Sequence, residues 1–266
     1  MTGPVHVAAE VIASRKAGAY RQLTLVAPGV AEAFRPGTFL AVSVGEGRLA
    51  RRALWIHRVK PSGGYGATLD LVVEPVGPGT RWLAVLPVGS RLEVTGPLGR
   101  PFALPKETAR CLLVGEGYAA APLVPLAERL RERDCPVTLV IGAPDEAHLL
   151  NALEARRSAG SVTVVTADGS VGERGDLGTV ASAAVDGADV VYAAGPLSLL
   201  ARVARAAEEH GIRSQLAVER PLTCATGLCH GCPVPVTGDD GAEHVVRACH
   251  DGPVFRGDRV RWEAIG

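Results

Sequence analysis

The stretch Cys224-Ala-Thr-Gly-Leu-Cys229-His-Gly-Cys232 decides how the last part of this chain folds. Together with Cys249 it has the spacing C-x4-C-x2-C followed by a distant fourth cysteine, which is the plant-type ligand pattern for a [2Fe-2S] cluster. Small residues between the first three thiols leave room for backbone N–H groups to approach sulfur. We therefore predict that these four cysteines are the ligands of a [2Fe-2S] cluster.

Two other interpretations of the cysteines are open from the sequence. A structural zinc site normally contains two C-x2-C pairs, whereas here only Cys229 and Cys232 form one. A pair of disulfides would need an oxidising compartment, and nothing else in the chain indicates one. The spacing and the small residues favour the cluster over both.

Charge balance and the N-terminus restrict the partners that we expect. Lysine plus arginine and aspartate plus glutamate number 28 each, so no net charge attracts nucleic acid or an anionic membrane. The chain does not begin with a basic segment followed by an apolar core, and no apolar run approaches the length of a membrane span. Cys111 and Cys135 lie beside predicted strands and are expected to be buried apolar residues. We expect a cytoplasmic protein that binds neither nucleic acid nor membrane.

Residues 1–105 have the pattern of a small antiparallel β-barrel of the flavin-binding type. Short β segments, broken by glycine and proline, are predicted at 5–13, 20–26, 38–44, 51–59, 67–76 and 91–95. One short helix is predicted at 80–86. No long helical pattern separates the strands, and we therefore expect them to pair antiparallel and close into a barrel.

Residues 106–218 alternate between strand and helix. Strands are predicted at 110–114, 137–141, 161–165, 189–193 and 214–218, and helices at 123–132, 146–158, 178–185 and 197–210. This alternation indicates a doubly wound parallel sheet of the nucleotide-binding type, with helices on both faces. Residues 219–266 form a third segment, which we expect to be mostly loop and organised by its metal centre. The predicted fold class is α/β plus β.

The loop after the first parallel strand is the first place where a ligand is expected. Gly115-x-Gly117-x-x-Ala120 matches the loose dinucleotide pattern, in which glycines let N–H groups and a helix N-terminus approach a pyrophosphate. Glu116 puts a carboxylate among those phosphates, which is unfavourable unless its side chain points away. A tight turn without a ligand explains the same glycines. No basic residue follows the second strand, so NAD is preferred over NADP if either binds.

The barrel contains a second candidate ligand site. Arg51 and Arg52 lie on one predicted strand, and Gly77-Pro-Gly-Thr80 precedes the short helix. Arginine forks and glycine-rich backbone near a helix N-terminus are what a flavin pyrophosphate needs. Composition alone would favour a solvated arginine pair beside an ordinary turn. The combination with the parallel-sheet domain and the cysteines favours the flavin.

The whole arrangement resembles the electron-transfer subunit of class B (NAD-linked) dihydroorotate dehydrogenase, in the ferredoxin reductase-like superfamily. The resemblance covers nearly the whole chain. It is carried by Arg51-Arg52 with Leu54 and Ile56, Gly77-x-Gly-Thr80, Gly96-Pro-Leu-Gly99, Leu113-Val-Gly-x-Gly117 with Ala121-Pro122-Leu123, Ala194-Gly-Pro196, Glu219-Arg220…Cys224, and Arg247-Ala-Cys-His-Asp-Gly-Pro-Val-Phe255. The last of these stretches is close to a family signature.

The resemblance implies that this chain carries FAD and a [2Fe-2S] cluster and pairs with a catalytic subunit containing FMN, in a heterotetramer of two plus two. In that family the complex oxidises dihydroorotate to orotate in pyrimidine biosynthesis, and electrons pass from FMN through the cluster and FAD to NAD. No side chain is expected to act as a catalytic acid or base, because the cofactors supply the chemistry. The implied cofactor contacts are Arg51, Arg52, Ala53, Leu54, Trp55, Val72, Val73, Glu74, Gly79, Thr80, Gly115 and Gly117.

Several positions depart from the family pattern. Arg52-Ala-Leu-Trp55 stands where the family usually reads Arg-Pro-Leu-Ser, so an indole that could block the flavin ring or stack on it replaces a hydroxyl. The nicotinamide loop, usually Gly-Gly-Gly-Ile-Gly, is Gly115-Glu-Gly-Tyr-Ala119, and Ala194 replaces a cysteine. The four cluster cysteines are all in place. This contrast supports a second hypothesis, a cluster-bearing relay or scaffold subunit with degenerate flavin and nicotinamide sites that serves a different flavoenzyme.

Overall fold

The computed structural model describes residues 3–45, 50–60, 63–150 and 152–265. The first part of the chain contains β1 (Val5–Ala17), β2 (Tyr20–Val26), α1 (Val30–Ala33), β3 (Phe39–Val42), β4 (Arg52–Lys60), β5 (Thr68–Val73), α2 (Pro78–Ala84) and β6 (Arg91–Leu98). The strands pair antiparallel in the order β1-β2-β5-β4-β3-β6 and close into a barrel. The predicted barrel is confirmed, and the short helix α1 is an addition to it.

Side chains on β4 alternate between the inside and the outside of the barrel, as the period of two in a strand requires. Leu54 and Ile56 are buried in the barrel interior. Trp55 packs instead with the apolar core outside the barrel, and the imidazole of His57 contacts the Ala121 carbonyl of the next domain. The outer face of β4 is therefore a surface on which the barrel meets the rest of the molecule.

The second part of the chain alternates strands and helices. It contains β7 (Cys111–Glu116), α3 (Leu123–Arg131), β8 (Val137–Ala143), α4 (Ala152–Ser158), β9 (Ser161–Thr166), β10 (Glu173–Arg174), α5 (Leu177–Ala184), β11 (Val190–Ala194), α6 (Leu197–Glu209) and β12 (Arg213–Ala217). The strands are parallel in the order β10-β9-β8-β7-β11-β12. The winding direction changes between β7 and β11, and a crevice is expected beyond the carboxyl ends of those strands. The doubly wound sheet is confirmed.

One predicted helix differs from the structure. The segment predicted as a helix at 146–158 is broken, because Glu146–His148 forms a separate 3-10 turn and α4 begins at Ala152. The carboxylate of Asp145 accepts a hydrogen bond from the His148 N–H at 3.0 Å, which caps this turn locally instead of extending a helix. Position 151 lies outside the described residues. None of the helices in the described part of the chain combines the length and the apolar character of a membrane span.

The last segment has more regular structure than expected. It contains β13 (Pro233–Thr237), β14 (Glu243–Arg247) and β15 (Val254–Arg256). β13 and β14 form an antiparallel hairpin, whereas β15 pairs antiparallel with β12 and extends the parallel sheet. The expectation of a mostly loop segment missed both features. The division into 1–105, 106–218 and 219–266 stays a prediction, and the third segment shares a sheet with the second.

Buried apolar side chains form two clusters. One fills the interior of the barrel. The other runs from Phe39 and Trp55 on the barrel, through the parallel sheet, to Cys232, Val234 and Cys249 in the last segment. Burial of apolar surface is the main force that holds packed elements together. The last segment, residues 219–266, here called the cysteine segment, is therefore anchored by this shared core as well as by any ligand.

Gly99, just after β6, is a contact point between the barrel and the cysteine segment. Its φ is +81°, and an added Cβ would overlap Pro253 and lie 2.9 Å from Cε1 of Phe39. Next to it, the Arg100 N–H donates to the Gly252 carbonyl at 2.6 Å. The turn that follows Cys249 therefore docks on the barrel only because position 99 has no side chain.

We expect Gly99→Ala to lower the free energy of unfolding by about 1–3 kcal/mol, because the methyl group overlaps Pro253 and the left-handed backbone is strained. Gly89→Ala is a matched control, since its φ is +88° but no atom lies within 4 Å of an added Cβ. Denaturant unfolding of the two variants measures the difference. Equal losses in both would show that position 99 contributes only its backbone conformation.

Candidate metal centre and adjoining cleft

The structure brings the predicted cluster cysteines together as two pairs. The sulfur atoms of Cys232 and Cys249 are buried and 3.4 Å apart. Cys224 and Cys229 form the second pair, in which the Cys229 N–H donates to the Cys224 sulfur at 3.4 Å. Gly227 links the two pairs, because its N–H donates to the Cys249 sulfur at 3.1 Å. Their role as ligands stays a prediction that this geometry supports.

Backbone N–H groups point at the sulfur atoms around the loop. Those of Thr226 and Gly231 donate to the sulfurs of Cys224 and Cys229, each at 3.4 Å. Burial by itself would raise the pKa of the Cys224 thiol, but the N–H groups of Cys229 and Thr226 outweigh it and lower the pKa to about 6. Such hydrogen bonds stabilise negative sulfur and are a feature of iron–sulfur sites.

The buried pair has the opposite electrostatics. Burial and the neighbouring Cys232 raise the pKa of the Cys249 thiol to about 12. A thiol in this position is not a thiolate at neutral pH unless a bound cation holds it deprotonated. The chemistry of this pair therefore fits metal ligands.

The pairing separates the three interpretations of the cysteines. Within the described residues, no three His, Cys, Asp or Glu side chains converge as a single metal ion would require. A structural zinc takes four ligands at one point, whereas a [2Fe-2S] cluster spreads its four thiolates over two irons. The cysteines of the described chain are also free of disulfide bonds. The site fits a two-iron cluster better than zinc or disulfides.

Arg247 joins the two parts of the chain that carry the thiols. Its guanidinium donates to the Gly227 carbonyl at 2.9 Å, and its main-chain N–H donates to the Asp251 carboxylate at 2.9 Å. Asp251 also pairs with His250 at 3.0 Å. The arginine thus connects the loop that carries Cys224 and Cys229 to the turn that follows Cys249.

A cleft of about 410 Å³ lies between the barrel and the parallel sheet. Its lining includes the carboxylates of Glu74, Glu116 and Glu219 and the side chain of His148, and among the described residues that line it there is neither lysine nor arginine. On one side, Tyr20 donates its hydroxyl hydrogen to the His148 carbonyl at 2.6 Å, which ties the barrel to the loop after β8. Negative charge therefore predominates in this cleft.

Three of the predicted flavin contacts meet at the start of α2. The Arg52 guanidinium lies over Gly79, where an added Cβ would be 2.7 Å from Nε. The Gly77 N–H donates to the Thr80 hydroxyl at 3.0 Å and caps α2. This cradle of a guanidinium and glycine backbone fits a flavin pyrophosphate. Arg51 turns away from it and donates to the Thr95 hydroxyl at 2.5 Å.

The remaining barrel positions differ in what they can offer a cofactor. Leu54 and Val73 point into the barrel interior, so only their main-chain atoms are open to a ligand. Ala53 and Val72 pack with the core outside the barrel, and Glu74 lines the cleft. A flavin at this site would be held mainly by backbone atoms and by the Arg52 cradle.

The indole of Trp55 lies between the barrel and the cysteine segment. It is 4% exposed, packs edge-to-face on Phe39 with ring centroids 6.5 Å apart, and donates its N–H to the Glu219 carboxylate. It lines a cavity of about 80 Å³ together with Leu222 and Ala248, and does not line the larger cleft. The structure thus directs the indole toward the cysteine segment, and its predicted effect on a flavin ring stays a prediction.

The predicted nicotinamide loop is tightly packed against its own helix. A Cβ added to Gly115 would lie 2.7 Å from Cβ of Ala120 and 2.8 Å from Cδ1 of Leu123, which explains this glycine without a ligand. Gly117 has a φ of +54° and begins a 3-10 turn. Glu116 does not point away but lines the cleft, and burial followed by the charge of Asp176 raises the pKa of its carboxyl group. The loop does not fit a pyrophosphate while Glu116 is ionised.

Sequence reasoning missed several residues of the two clefts. No sequence motif marks Tyr20 or Tyr118 as residues of a ligand site, and Glu219 was recognised only as part of the motif that precedes Cys224. A second cleft of about 400 Å³ beyond the strand ends contains Arg202, which forms an ion pair of 2.7 Å with Asp176. Arg202 lies in the middle of α6, whereas a basic residue near the nucleotide was expected only in the segment after the second parallel strand.

Glu219 is the residue that joins the cleft to the cysteine segment. Crowding by neighbouring groups raises the pKa of its carboxyl group, the Trp55 indole N–H lowers it by stabilising the charged form, and the charge of Glu74 raises it again. The residue is nevertheless exposed, so water screens these effects and the shift is small. The net direction is upward. Glu219 thus lines both the cleft and the smaller cavity beside Trp55.

The closed barrel, the doubly wound sheet and the paired thiols define an iron–sulfur protein of the ferredoxin reductase-like class. Residues 219–261 match the family described as the iron-sulfur cluster binding domain of dihydroorotate dehydrogenase B. The chain is 32% identical over 242 residues to "Dihydroorotate dehydrogenase B (NAD(+)), electron transfer subunit" of Desulforamulus reducens, covering 89% of this chain and 90% of the relative. The chain belongs to the family of dihydroorotate dehydrogenase B electron-transfer subunits.

Two further comparisons agree with this assignment. The homolog of the same subunit in Thermotoga maritima is 32% identical over 245 residues, covering 90% of this chain and 82% of the relative. A solved structure of NADH-dependent reduced ferredoxin-NADP oxidoreductase, from work on flavin-based electron bifurcation, has a TM-score of 0.84 and 29% identity. It covers 96% of this chain and 90% of its own. The predicted family and fold class are confirmed.

We expect Cys229→Ser to remove most of the visible absorbance and iron of anaerobically purified protein, because one of four ligands is lost. Cys135→Ala is the matched control, since Cys135 is buried in the parallel-sheet domain and belongs to neither thiol pair. Absorption spectra and iron analysis provide the measurement. An unchanged spectrum in the Cys229 variant would contradict the ligand assignment.

We expect Glu219→Gln to stabilise the protein at neutral pH but not at acidic pH. A carboxyl group with a raised folded-state pKa contributes stability below its unfolded pKa of about 4.3, and this contribution is lost as pH rises through the folded value. Glutamine keeps an acceptor oxygen for Trp55 without the charge. The difference in thermal midpoint between variant and parent should therefore grow as pH rises from about 4 to about 7, by a small amount because Glu219 is exposed to water.

Glu209→Gln is the control for this pH series, because Glu209 is exposed like Glu219 but lies at the end of α6 and not in the lining of the cleft. A difference for the Glu219 variant that stays constant across the series would show that Glu219 has no raised pKa in the folded protein.

Proposed function

We propose that this chain is an electron-transfer subunit that holds a [2Fe-2S] cluster and FAD and passes electrons between a catalytic flavoenzyme and NAD. The observation that carries the proposal is the pairing of four thiols in a segment docked on both the barrel and the sheet. When bound, the cluster supplies one-electron transfer and the flavin exchanges single electrons with hydride equivalents. Cys224, Cys229, Cys232 and Cys249 would hold the cluster.

The residues of the chain bind and position these groups. Backbone N–H groups of Thr226, Gly227 and Gly231 stabilise negative sulfur. Arg52, Gly79 and Thr80 form the cradle for the flavin pyrophosphate. The shared core around Trp55 excludes water from the space between the flavin-binding strand and the thiols.

The family supports a partner of a particular kind. We infer that the partner is a catalytic subunit of the dihydroorotate dehydrogenase type with its own FMN, assembled two plus two, in cytoplasmic pyrimidine biosynthesis. Cys229 is exposed, and the neighbouring Leu228 is 83% exposed, so an apolar side chain stands beside the outer thiols. This is where a partner would approach the cluster within electron-transfer distance.

A second candidate function is a relay or scaffold subunit for a different flavoenzyme. The acidic cleft favours it, because Glu116 faces the position where nicotinamide phosphates would lie. The likeness to a structure of NADH-dependent reduced ferredoxin-NADP oxidoreductase shows that this fold also serves another oxidoreductase. Flavin content separates the two candidates.

We expect anaerobically purified protein to contain about two irons and two inorganic sulfides per chain, with one releasable FAD. Iron, sulfide and flavin analyses, and an electron paramagnetic resonance signal after one-electron reduction, are the measurements. Cluster without flavin would favour the relay over the FAD-carrying subunit. Colourless protein, or zinc in place of iron, would overturn both candidate functions. Identifying the protein that co-purifies with this chain from its native source would show which partner it serves.

A further inference from the structure

Glu116 lies at the point where the two clefts of the parallel-sheet domain meet. It is the last residue of β7 and lines both clefts. A Cβ added to Gly195, at the end of the neighbouring strand β11, would lie 3.4 Å from Cβ of Glu116. The carboxyl group thus stands at the switch point of the sheet, where an open α/β fold binds its ligand.

The charged side chains that line the two clefts around Glu116 do not compensate the negative charge of a second anion such as a pyrophosphate. In one cleft Arg202 is already paired with Asp176 at 2.7 Å and donates to the Thr179 hydroxyl at 3.0 Å. The other cleft presents Glu74, Glu219 and His148.

The phenols of Tyr20 and Tyr118 complete the set of ionisable groups that face Glu116 in this cleft. Burial raises the pKa of both phenols, so they stay neutral. A dinucleotide pyrophosphate entering here would meet the Glu116 carboxylate without a free cation from any of these lining groups.

We propose that Glu116 couples the binding of a nicotinamide dinucleotide to the uptake of a proton, so that the pyrophosphate binds only to the form with a neutral Glu116 carboxyl group. The inference rests on the proposed function, because it concerns the nicotinamide end of the same relay. Glu116 then controls the affinity of the subunit for the dinucleotide, which binds more tightly at lower pH.

The physical reason is the unfavourable energy of two anions in a half-buried site. Like charges within a few ångströms repel more strongly near protein than in bulk water. Burial and Asp176 already raise the pKa of Glu116, so protonating it is easier than protonating a surface carboxylate. The affinity for NAD should therefore fall as pH rises above the pKa of the free protein, and a proton should be taken up on binding.

Calorimetry of the holoprotein with NAD⁺ tests this directly. NAD⁺ is titrated at pH 6 and pH 8, each in two buffers of different ionisation enthalpy, so that the number of protons taken up is measured together with the affinity. We expect the parent protein to take up as much as one proton on binding, and the affinity to fall by up to tenfold for each pH unit above the pKa of Glu116, so that binding is weaker at pH 8 than at pH 6.

Glu116→Gln keeps the shape of the side chain and removes its charge. We expect this variant to take up no proton and to bind NAD⁺ more tightly than the parent at pH 8, by up to tenfold for each pH unit by which pH 8 exceeds the pKa of Glu116. Glu173→Gln, at an exposed position on β10, is the matched control and should behave as the parent. The iron and flavin content of each variant shows that the fold and the other cofactor sites are intact.

Two results would overturn the inference. Equal affinity and proton uptake in the parent and the Glu116 variant would show that Glu116 does not control binding. Failure of both to bind NAD⁺ at either pH would show that some other feature excludes the dinucleotide. The proposed cluster and flavin sites are judged separately, from the pigment content and the electron paramagnetic resonance signal of the same samples.

Discussion

The pairing of β15 with β12 is the constraint on which the cysteine segment depends. Leu216 and Ala217 face Phe255 and Val254 across this antiparallel ladder, and the Val218 N–H donates to the Pro253 carbonyl at 2.8 Å. The chain that carries the thiols therefore leaves the sheet and returns to it at the same place. Because both ends of the loop are fixed, the entropy of closing it is lost during folding, before any ligand binds. Metal binding therefore costs less conformational entropy.

The same constraint explains why acidic residues gather in the cleft. β12 ends at its carboxyl edge beside β11, and the next residues pass the outer face of the barrel, where Glu219 meets Trp55. Glu116 ends β7 at the same edge, and Glu74 follows β5 on the barrel. Three carboxyl groups from separate parts of the chain thus face one space, and burial raises the pKa of the half-buried Glu116 among them.

The sequence predicts this molecule well where periodicity or ligand spacing determines the structure. The barrel strands, the doubly wound sheet and the grouping of the cysteines all follow from local pattern. What it did not predict depends on contacts between distant segments. β15 is three residues long and forms only because β12 offers a free edge, and the turn at Glu146–His148 depends on the Asp145 side chain. The direction of the Trp55 indole was likewise undetermined, because Glu219 lies far away in sequence.

The two thiol pairs differ in their exposure to solvent and in the number of N–H groups that reach their sulfur atoms. The outer pair, Cys224 and Cys229, is partly open to solvent and accepts N–H groups from Thr226, Cys229 and Gly231. The inner pair is buried against the core, and among the described contacts Gly227 is its N–H donor. Hydrogen bonds to sulfur and exposure to water both favour negative charge, so in a cluster held by these cysteines the outer pair would stabilise negative charge more than the inner pair. A partner that covered this surface would remove the water and weaken that stabilisation of negative charge at the outer pair.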